Sequence, residues 1–446
     1  MKRIFVIGAG KSTAYLIKYL LDKSETNNWK VIVGDVDINT AQSRISGHPN
    51  GVAVSFDVFN HSEREKYISE SDLVISMLPA TLHGQVAKDC VRFGKHMTTA
   101  SYVSKEMKEL DSEAKAKGLI LFNEVGLDPG IDHASAMKII DGIHSEGGEI
   151  EVFKSYCGGL VAPESNDNPW GYKFSWNPRN VILAGQGTAQ YLQNGELKFI
   201  PYNRIFKQIE HIEVKGLGTF DGYANRDSIS YQEPYQLNGI KTLLRGTLRM
   251  QGYCNAWNVF VHLGLTDDSW KLPEWGEISW PELLKAFLPG MKEVKKELIE
   301  FSGIIDDHET IEKLEWLGIF DERNKIIVSG KSPAQVLQEL LEKKWFLKPG
   351  DKDMIVMQHI FKWRKKDNPI VLHKTHSSLV VIGQDQTYTA MAKTVGLPLA
   401  MVSSMILQNK VQGRGVMIPV TADIYQPLLK ELEEYDISFR EENSND

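Results

Sequence analysis

The first 35 residues contain the pattern that most constrains the fold of this chain. A short β-rich run, Lys2 to Ile7, ends in the glycine turn Gly8-Ala9-Gly10. A helical pattern follows, and a second apolar run, Val31 to Val33, ends at Gly34-Asp35. This order of strand, glycine turn, helix, strand and acid is typical of the dinucleotide-binding fold. The sequence therefore predicts a nucleotide-binding parallel sheet at the start of the chain.

The glycine turn is expected to hold the pyrophosphate of the cofactor. Gly8 permits the tight turn, and Gly10 lets the backbone approach a pyrophosphate at the helix N-terminus. Thr13 stands where the third glycine usually lies, so the helix is expected slightly further from the strand. A phosphate loop is excluded because it would need glycine in place of Phe5. The cofactor contacts predicted here are Gly8, Gly10, Lys11, Ser12 and Thr13.

Asp35 indicates which cofactor binds. A carboxylate at the end of the second strand accepts hydrogen bonds from the ribose hydroxyls and repels a 2′-phosphate. The sequence therefore predicts NAD in preference to NADP, with NADP possible because Lys11 could reach a phosphate. The alternative is that Asp35 is only a turn residue before Asp37.

Strands and helices continue to alternate after Asp35, which indicates a parallel sheet. In such a sheet the loops beyond the carboxyl ends of the strands meet at one edge, where ligands bind. Further cofactor contacts are therefore predicted at the ends of later strands: Asp57, Met77, Leu78, Ser101, Leu127, Pro129 and Gly130.

The segment from Asn123 to His133 combines carboxylates, a histidine and a Pro-Gly turn after an apolar strand. One interpretation is a ligand site. The other is a helix N-terminus, with Asp128 as N-cap, Pro129 at the first helical position and Asp132 in the first turn. Both can hold together, because a helix N-terminus favours an anionic ligand.

The chain is too long for one core, and its fold class is predicted as α/β with two or three domains. A Rossmann dinucleotide-binding domain is expected over residues 1–127 and 388–446, with two C-terminal helices packed on it. A mixed α/β substrate and dimerisation domain is expected over 128–253 and 349–387, and a small helical subdomain over 254–348. Capping boxes at Ser279 and Ser332 indicate helices in the subdomain. Residues 441–446 are expected to be disordered.

The middle of the chain carries cations in predicted loops and strands. Lys173 lies in the aromatic and amide-rich run from Asn168 to Trp176. Arg226 follows in a later loop, and Arg245-Gly246-Thr247 precedes Arg249. Arginine binds carboxylates through two parallel hydrogen bonds, so a polyacid substrate is expected. For any single arginine, a surface salt bridge is the alternative.

Composition limits the partners and the compartment. The net charge of -7 and the pI near 6.0 argue against a nucleic-acid partner. Cys90, Cys157 and Cys254 are widely spaced and form no metal-ligand pattern, so no metal site is expected. The cysteine usage fits a reducing, cytoplasmic setting, and no transmembrane helix or membrane partner is expected.

Longer motifs resemble one family. They are Ser101-Tyr102, Asn123 to His133, Ser155 to Leu160 with Ala162 to Glu164, Asn168 to Trp176, and Arg245 to Arg249. They resemble the saccharopine reductases, which are the L-glutamate-forming saccharopine dehydrogenases of lysine metabolism. The resemblance extends over nearly the whole chain. It implies a reversible NAD(P)-dependent oxidation of the secondary amine of saccharopine, giving L-glutamate and 2-aminoadipate 6-semialdehyde, usually by a dimer.

The resemblance also implies roles for particular residues. The substrate contacts would be Ser101, Tyr102, Asp128, Lys173, Arg226, Arg245, Gly246 and Thr247. The acid–base groups would be Asp128, Tyr102 and Cys157, although a buried thiol can equally be a packing group. Fungal members carry an arginine after the second strand and use NADP. The corresponding stretch here is Asp35-Val36-Asp37, which favours NAD.

Two alternative functions stay open. A carboxynorspermidine dehydrogenase-like imine reductase would need a site for a cationic amine, and the pair Arg226 and Arg245 argues against it. A non-enzymatic dinucleotide-binding scaffold would not require the polar loops that this chain carries.

Overall fold

The computed structural model describes residues 1–184 and 186–445 and contains two compact units. The first unit comprises residues 1–149, 365–370 and 379–440. The second comprises residues 150–364, 371–378 and the described residues from 441 onward. The chain therefore passes from one unit to the other several times.

The first unit begins with alternating strands and helices, as the sequence predicts. Its elements in this part are β1 Lys2–Ile7, α1 Ala14–Asp22, α2 Ser24–Asn27, β2 Trp29–Asp35, α3 Ile38–Ile45, β3 Gly51–Ser55, α4 His61–Ser69, β4 Leu73–Ser76, α5 His83–Phe93, β5 His96–Thr98, α6 Lys105–Glu109, α7 Asp111–Ala116, β6 Ile120–Phe122 and α8 Ile131–Ser145.

Long strands and a group of helices follow. They are β7 Gly148–Val161, α9 Pro178–Ile182, β8 Ala189–Gln193, β9 Glu196–Ile200, β10 Ile209–Val214, β11 Gly218–Ala224, β12 Thr242–Met250, α10 Tyr253–Leu263, β13 Glu277–Ser279, α11 Trp280–Phe287, α12 Val294–Ser302, α13 His308–Leu317, β14 Lys325–Ile327, α14 Pro333–Lys344, β15 Asp353–Lys365 and β16 Asn368–Ile382. The last elements are α15 Ala390–Leu407, β17 Gly415–Met417, α16 Ala422–Glu433 and β18 Arg440–Asn445.

The sheet of the first unit has seven strands in the order β17-β6-β5-β4-β1-β2-β3, and all its neighbouring pairs are parallel. Taken from the other edge, strands β1 to β6 lie in the order β3-β2-β1-β4-β5-β6, which is the doubly wound order 3-2-1-4-5-6. Residues 4–7 of β1 and 73–75 of β4 are buried apolar runs, as expected where helices cover both faces of a parallel sheet. The predicted Rossmann domain is confirmed.

Helix α15 lies in the core of the first unit and is long and apolar. Its 18 residues have a mean hydropathy of 1.5, so by length and composition it could cross a membrane. However, 83% of that window is buried inside the protein, which is typical of a core helix. The sequence predicts this segment as one of the two C-terminal helices of the first domain.

The second unit is built on a mixed sheet, as predicted. The strand order is β10-β11-β12-β7-β15-β16-β18, with β8 beside β12 and β9 beside β8. Strands β12 and β7 pair in parallel, whereas β10 with β11 and β11 with β12 pair antiparallel. Trp170, Trp257 and Trp345 lie in its core. Helices α11 and α14 begin with the capping boxes that the sequence indicates at Ser279 and Ser332.

The units differ from the predicted domains at their boundaries. The predicted boundary after residue 127 falls before α8, which the structure groups with the first unit. Residues 254–348 belong to the second unit, and their helices share one hydrophobic core with its sheet. The separate helical subdomain therefore stays a prediction.

The C-terminal end is ordered, contrary to expectation. Residues 440–445 form the strand β18 at the edge of the second sheet. The Thr375 hydroxyl donates to Asn443 Oδ1 at 2.7 Å, and Lys215 Nζ lies 2.9 Å from Glu442 Oε1. A polar edge strand has little apolar periodicity, so its sequence resembles a disordered tail. Asp446 lies outside the described residues.

Gly396 allows α15 to pack closely against the start of α1. A Cβ at this position would lie 2.8 Å from the Leu16 backbone nitrogen and 3.3 Å from the Ser12 carbonyl oxygen. Gly142 in α8 is also helical, but a Cβ there would meet nothing within 4 Å. The two glycines form a matched pair for measuring the importance of this packing.

We expect Gly396→Ala to reduce the free energy of unfolding by about 2 kcal/mol because one of the two backbones must shift. We expect Gly142→Ala to increase it by roughly 0.5 kcal/mol, since alanine is favoured within a helix. Chemical denaturation of both variants measures the difference. Equal effects would contradict the close packing at Gly396.

Candidate active site

The glycine turn is held in place from both sides. Gly8 has φ +101°, and a Cβ there would lie 3.1 Å from the Met77 carbonyl oxygen. Asp35 Oδ2 accepts a hydrogen bond from the Ala9 N–H at 2.7 Å. A Cβ at Gly10 would meet nothing within 4 Å, so there is open space beside its backbone. This geometry fits a pyrophosphate at the start of the helix, where Lys11, Ser12 and Thr13 lie.

Arg44 of α3 also contacts the glycine turn, and the sequence reasoning missed it. Its Nε donates to the Ala9 carbonyl oxygen at 3.2 Å. Asp35 and Arg44 therefore hold the turn through an N–H and a carbonyl of the same residue. Nothing in the sequence identifies Arg44, because the contact depends on how α3 packs.

The other predicted cofactor residues lie after successive strands of the same sheet. Met77 and Leu78 follow β4, and Ser101 follows β5. Asp57 follows β3, is exposed, and accepts a hydrogen bond from the Phe59 N–H at 2.9 Å. Leu127, Pro129 and Gly130 lie in the loop after β6. The strands bring these loops to one edge, and the individual contacts stay predictions.

The loop after β6 turns tightly before α8. The Asp128-Pro129 peptide bond is cis, and the Gly126 N–H donates to the Pro129 carbonyl oxygen at 2.8 Å. A Cβ at Gly130 would lie 2.1 Å from the Gly126 carbonyl oxygen, so only glycine fits. Helix α8 begins at Ile131, directly after Gly130. The prediction that Asp128 is the N-cap is therefore wrong, because the turn separates Asp128 from the helix.

Tyr102 and Asp128 lie together at the edge of the sheet. The Tyr102 hydroxyl donates to Asp128 Oδ1 at 3.3 Å. Tyr102 is 37% exposed and Asp128 is half-buried, so both side chains can reach a ligand. A carboxylate that can accept a proton and a phenol that can donate one are the parts of an acid–base pair. The structure thus brings together two of the three predicted catalytic residues.

His83 connects the ends of β4 and β5, and the sequence reasoning did not identify it. Its Nδ1 lies 2.8 Å from Ser76 Oγ and its Nε2 lies 2.7 Å from Ser101 Oγ. Burial lowers the pKa of His83 from 6.5 to about 4, so the imidazole is neutral at physiological pH. A neutral imidazole has one donor and one acceptor nitrogen, which allows it to orient both hydroxyls. His83 therefore fixes Ser101, a predicted cofactor and substrate contact.

In the second unit, several predicted residues share one face of the sheet. In the β12–β7 ladder, Thr247 pairs with Cys157 and Arg245 pairs with Ser155. Paired residues of parallel strands point to the same face, so Arg245, Thr247 and Cys157 lie side by side. Arg245 is 4% exposed, and its guanidinium lies 4.2 Å from the centre of the Tyr231 ring. Cys157 is buried, which is compatible with packing or chemistry.

Arg226 and Gly246 are placed by different constraints. Arg226 is exposed and has φ +39°, an uncommon conformation for a residue with a side chain. Such backbone strain often occurs at ligand sites. Gly246 faces the Tyr156 ring, where a Cβ would come within 2.5 Å of the ring carbons. Close packing is thus sufficient to explain Gly246.

The run from Asn168 to Trp176 is mostly core, which corrects its interpretation as a substrate loop. Trp170 and Tyr172 are almost fully buried. Lys173 is 2% exposed, and its Nζ lies 2.8 Å from Asp167 Oδ1 and 2.6 Å from Asp351 Oδ2. Two carboxylates already neutralise this ammonium. Lys173 therefore fits a structural role, and we do not keep it among the proposed substrate contacts.

Arg249 is also enclosed, although it belongs to the same arginine-rich motif as Arg245. It is 3% exposed, and its guanidinium lies between 5.2 and 5.9 Å from the rings of Tyr172, Tyr223 and Tyr253. Aromatic rings stabilise a buried cation through their negative faces.

Among the described residues, no group of three or more His, Cys, Asp or Glu side chains could hold a metal ion.

The lowered pKa of His83 predicts a loss of stability in acid. Below its ordinary pKa of 6.5, the unfolded chain binds a proton that the folded protein takes up only near pH 4. The free energy of unfolding should therefore fall as the pH falls from 6.5 to 4, by up to about 3 kcal/mol from this residue.

Denaturation at a series of pH values would measure this slope. In His83→Gln the slope over the same range should be smaller than in the unaltered protein. The exposed His61 of α4 provides the control, and His61→Gln should leave the slope unchanged. An unaltered slope in His83→Gln would contradict the neutral state of the buried imidazole.

Two family models match the chain. The model described as "Saccharopine dehydrogenase NADP binding domain" matches residues 4–122. The model described as "Saccharopine dehydrogenase C-terminal domain" matches residues 126–437. Together they extend over almost the entire sequence.

Known proteins resemble the chain over its full length. It is 34% identical to "Saccharopine dehydrogenase [NADP(+), L-glutamate-forming]" of Schizosaccharomyces pombe, over 99% of both chains. It is 36% identical to the mitochondrial alpha-aminoadipic semialdehyde synthase of Mus musculus, over 99% of this chain and 48% of that protein. The structure of apo saccharopine dehydrogenase (L-Glu forming) from Saccharomyces cerevisiae has a TM-score of 0.88 and 32% identity, covering 100% of both chains. The chain belongs to the saccharopine dehydrogenase family.

Proposed function

We propose that this chain catalyses the reversible NAD(P)-dependent oxidation of saccharopine to L-glutamate and 2-aminoadipate 6-semialdehyde. The observation that carries the proposal is the pair Tyr102 and Asp128, whose side chains meet at 3.3 Å beside the dinucleotide-binding edge. The full-length similarity to L-glutamate-forming saccharopine dehydrogenases supports the same reaction.

The reaction needs a base for the secondary amine and for water. Asp128 would accept the amine proton as the carbon–nitrogen bond is oxidised, release it to solvent, and then accept a proton from the attacking water. Tyr102 would donate a hydrogen bond to the oxygen that adds to the imine carbon. Its present bond to Asp128 keeps the two groups within reach of one another. The dinucleotide, when bound, accepts the hydride from the lysine-derived carbon.

The three carboxylates of saccharopine require cationic partners. We propose Arg226 and Arg245, with the Thr247 hydroxyl next to Arg245 on the same face of β12. An exposed guanidinium such as Arg226 can bind a carboxylate through two hydrogen bonds. Cys157 pairs with Thr247 in the ladder and would line the same face as a neutral thiol. Two arginines also disfavour the diamine substrate of a carboxynorspermidine dehydrogenase.

We propose NAD as the preferred cofactor. Asp35 holds the glycine turn through the Ala9 N–H, and its other oxygen accepts the Asp37 N–H at 3.0 Å. Each carboxylate oxygen has a further lone pair for a ribose hydroxyl. A 2′-phosphate beside this carboxylate would be repelled. The Schizosaccharomyces pombe relative is named as an NADP(+) enzyme, so the preference would distinguish this chain from it.

We also propose a cytoplasmic compartment and a homodimeric assembly. The free cysteines Cys90, Cys157 and Cys254 fit a reducing, cytoplasmic setting. The resemblance to the family suggests a homodimer.

The purified protein should reduce NAD when saccharopine is supplied, and L-glutamate should appear in equal amount. The measurement is the absorbance of the reduced cofactor, followed by determination of glutamate. NADP and a carboxynorspermidine substrate are the parallel assays. Reduction only with the polyamine substrate would favour the imine reductase alternative. No reduction in any assay, with a dinucleotide still bound, would favour the scaffold alternative.

Asp35→Asn tests the cofactor preference while retaining an acceptor oxygen for the Ala9 N–H. We expect kcat/KM for NADP relative to NAD to rise about tenfold, because one charge repulsion is removed. Asp22→Asn, which removes the same charge from the exposed end of α1, is the control and should leave the ratio unchanged. A ratio that is equal in both variants would exclude Asp35 as the determinant.

A further inference from the structure

We propose that Glu124 and His133 are positioning residues that hold Tyr102 against Asp128. Both lie outside the acid–base pair, and neither is required by the reaction itself. The inference rests on the proposed function, because it assumes that Tyr102 and Asp128 act on the substrate. It follows from a set of buried hydrogen bonds that surrounds this pair.

Glu124 bonds to both neighbours of Tyr102. Its backbone N–H donates to the Ser101 carbonyl oxygen at 3.1 Å. Its side-chain Oε1 accepts a hydrogen bond from the Val103 N–H at 3.0 Å. Since Ser101 and Val103 flank Tyr102 in the sequence, Glu124 fixes the backbone on each side of the tyrosine. That backbone sets the direction of the Tyr102 Cα–Cβ bond, from which the hydroxyl reaches Asp128.

His133 links Glu124 to the first turn of α8. Its Nε2 lies 2.8 Å from Glu124 Oε2, and both side chains are buried. Its Nδ1 lies 3.8 Å from Asp132 Oδ1. That same oxygen accepts the Gly130 N–H at 2.6 Å, within the turn that carries Asp128. A row of polar contacts, Glu124-His133-Asp132, therefore connects the two loops on which Tyr102 and Asp128 lie, through one hydrogen bond and one 3.8 Å contact.

Burying the polar row Glu124-His133-Asp132 lowers the stability of the folded protein unless its contacts offset the lost hydration. Glu124 is 5% exposed, and a buried carboxylate needs partners to offset its lost hydration. Its backbone has φ +56°, where a residue with a side chain is strained. An apolar residue at this position would avoid the buried charge. Strain and buried charge together are characteristic of sites where geometry is fixed for function.

The adjacent loops also meet by direct packing, which leaves little freedom. A Cβ at Gly126 would lie 3.0 Å from the Ala100 Cβ. His83 also holds Ser101, because its Nε2 lies 2.7 Å from Ser101 Oγ. Glu124 further restricts the backbone next to Tyr102 through its bonds to Ser101 and Val103.

A double-mutant cycle in kcat tests the proposal. The variants are Glu124→Met, which has similar length but removes both side-chain bonds, Tyr102→Phe, and the double variant. Glu124→Met alone should lower kcat about tenfold with little change in KM. In the Tyr102→Phe background it should lower kcat less than about twofold, because effects through a shared group are not additive. Glu124→Gln retains an acceptor for the Val103 N–H and should restore most of the activity.

The controls separate positioning from general instability. Glu297 is another buried glutamate, on α12, and its Oε2 accepts the Lys292 N–H at 3.1 Å. Glu297→Met should leave kcat within about twofold of the unaltered enzyme. If Glu124→Met fails to fold by circular dichroism, His133→Gln replaces it in the same cycle with the same expectations.

The outcomes distinguish this inference from the proposed function. If Tyr102→Phe retains full kcat, the acid–base role of Tyr102 fails and the positioning role fails with it. If Tyr102→Phe lowers kcat but the effect of Glu124→Met is equally large in both backgrounds, only the positioning role is overturned. Loss of activity in Glu297→Met to the same extent would also overturn it.

Discussion

The parallel hydrogen-bond ladder on either side of β1 is the constraint on which the candidate site depends. Ile7 pairs with Gly34 on one side and with Ser76 on the other. The ladder continues one step past the strands. The Gly8 N–H donates to the Gly34 carbonyl oxygen at 2.7 Å, and the Met77 N–H donates to the Ile7 carbonyl oxygen at 2.8 Å. The glycine turn, the acid of β2 and the loop after β4 are therefore fixed by one register. A shift of one residue would displace all three.

A second ladder has the same role in the other unit. The pairing of β12 with β7 decides that Arg245 and Thr247 share a face with Cys157. On the opposite face, the Tyr156 ring occupies the space that Gly222 and Gly246 leave open. The register thus places alternate residues of the motif from Arg245 to Arg249 on opposite faces of the sheet. Arg249 lies on the same face as Arg245, yet tyrosines surround its guanidinium, so sharing a motif and a face does not decide whether a side chain can reach a ligand.

Local signals were sufficient for the fold of the first unit and for the location of its ligand edge. The glycine turn, the acid after β2 and the apolar strands each carry information within a few residues, and the parallel order follows from their alternation. The sequence could not reveal His83, Arg44 or the salt bridges of Lys173, because these contacts depend on how loops and helices pack and not on a local pattern. The same holds for Glu124, whose bond to Val103 joins two loops. Polar edge strands such as β18 escape prediction because their pairing partner, and not their own pattern, makes them ordered.

The division of the chain into units has a consequence for its synthesis. The parallel sheet begins at residue 2, but its last strand β17 and the core helix α15 come from residues 390–417. The first unit is complete only at residue 440, after almost all of the second has been made. While the chain leaves the ribosome, the apolar face that α15 will cover has no partner for most of the time of translation. A fragment that ends at residue 378 would keep every residue of the glycine turn, yet it would lack the helix that packs against the start of α1.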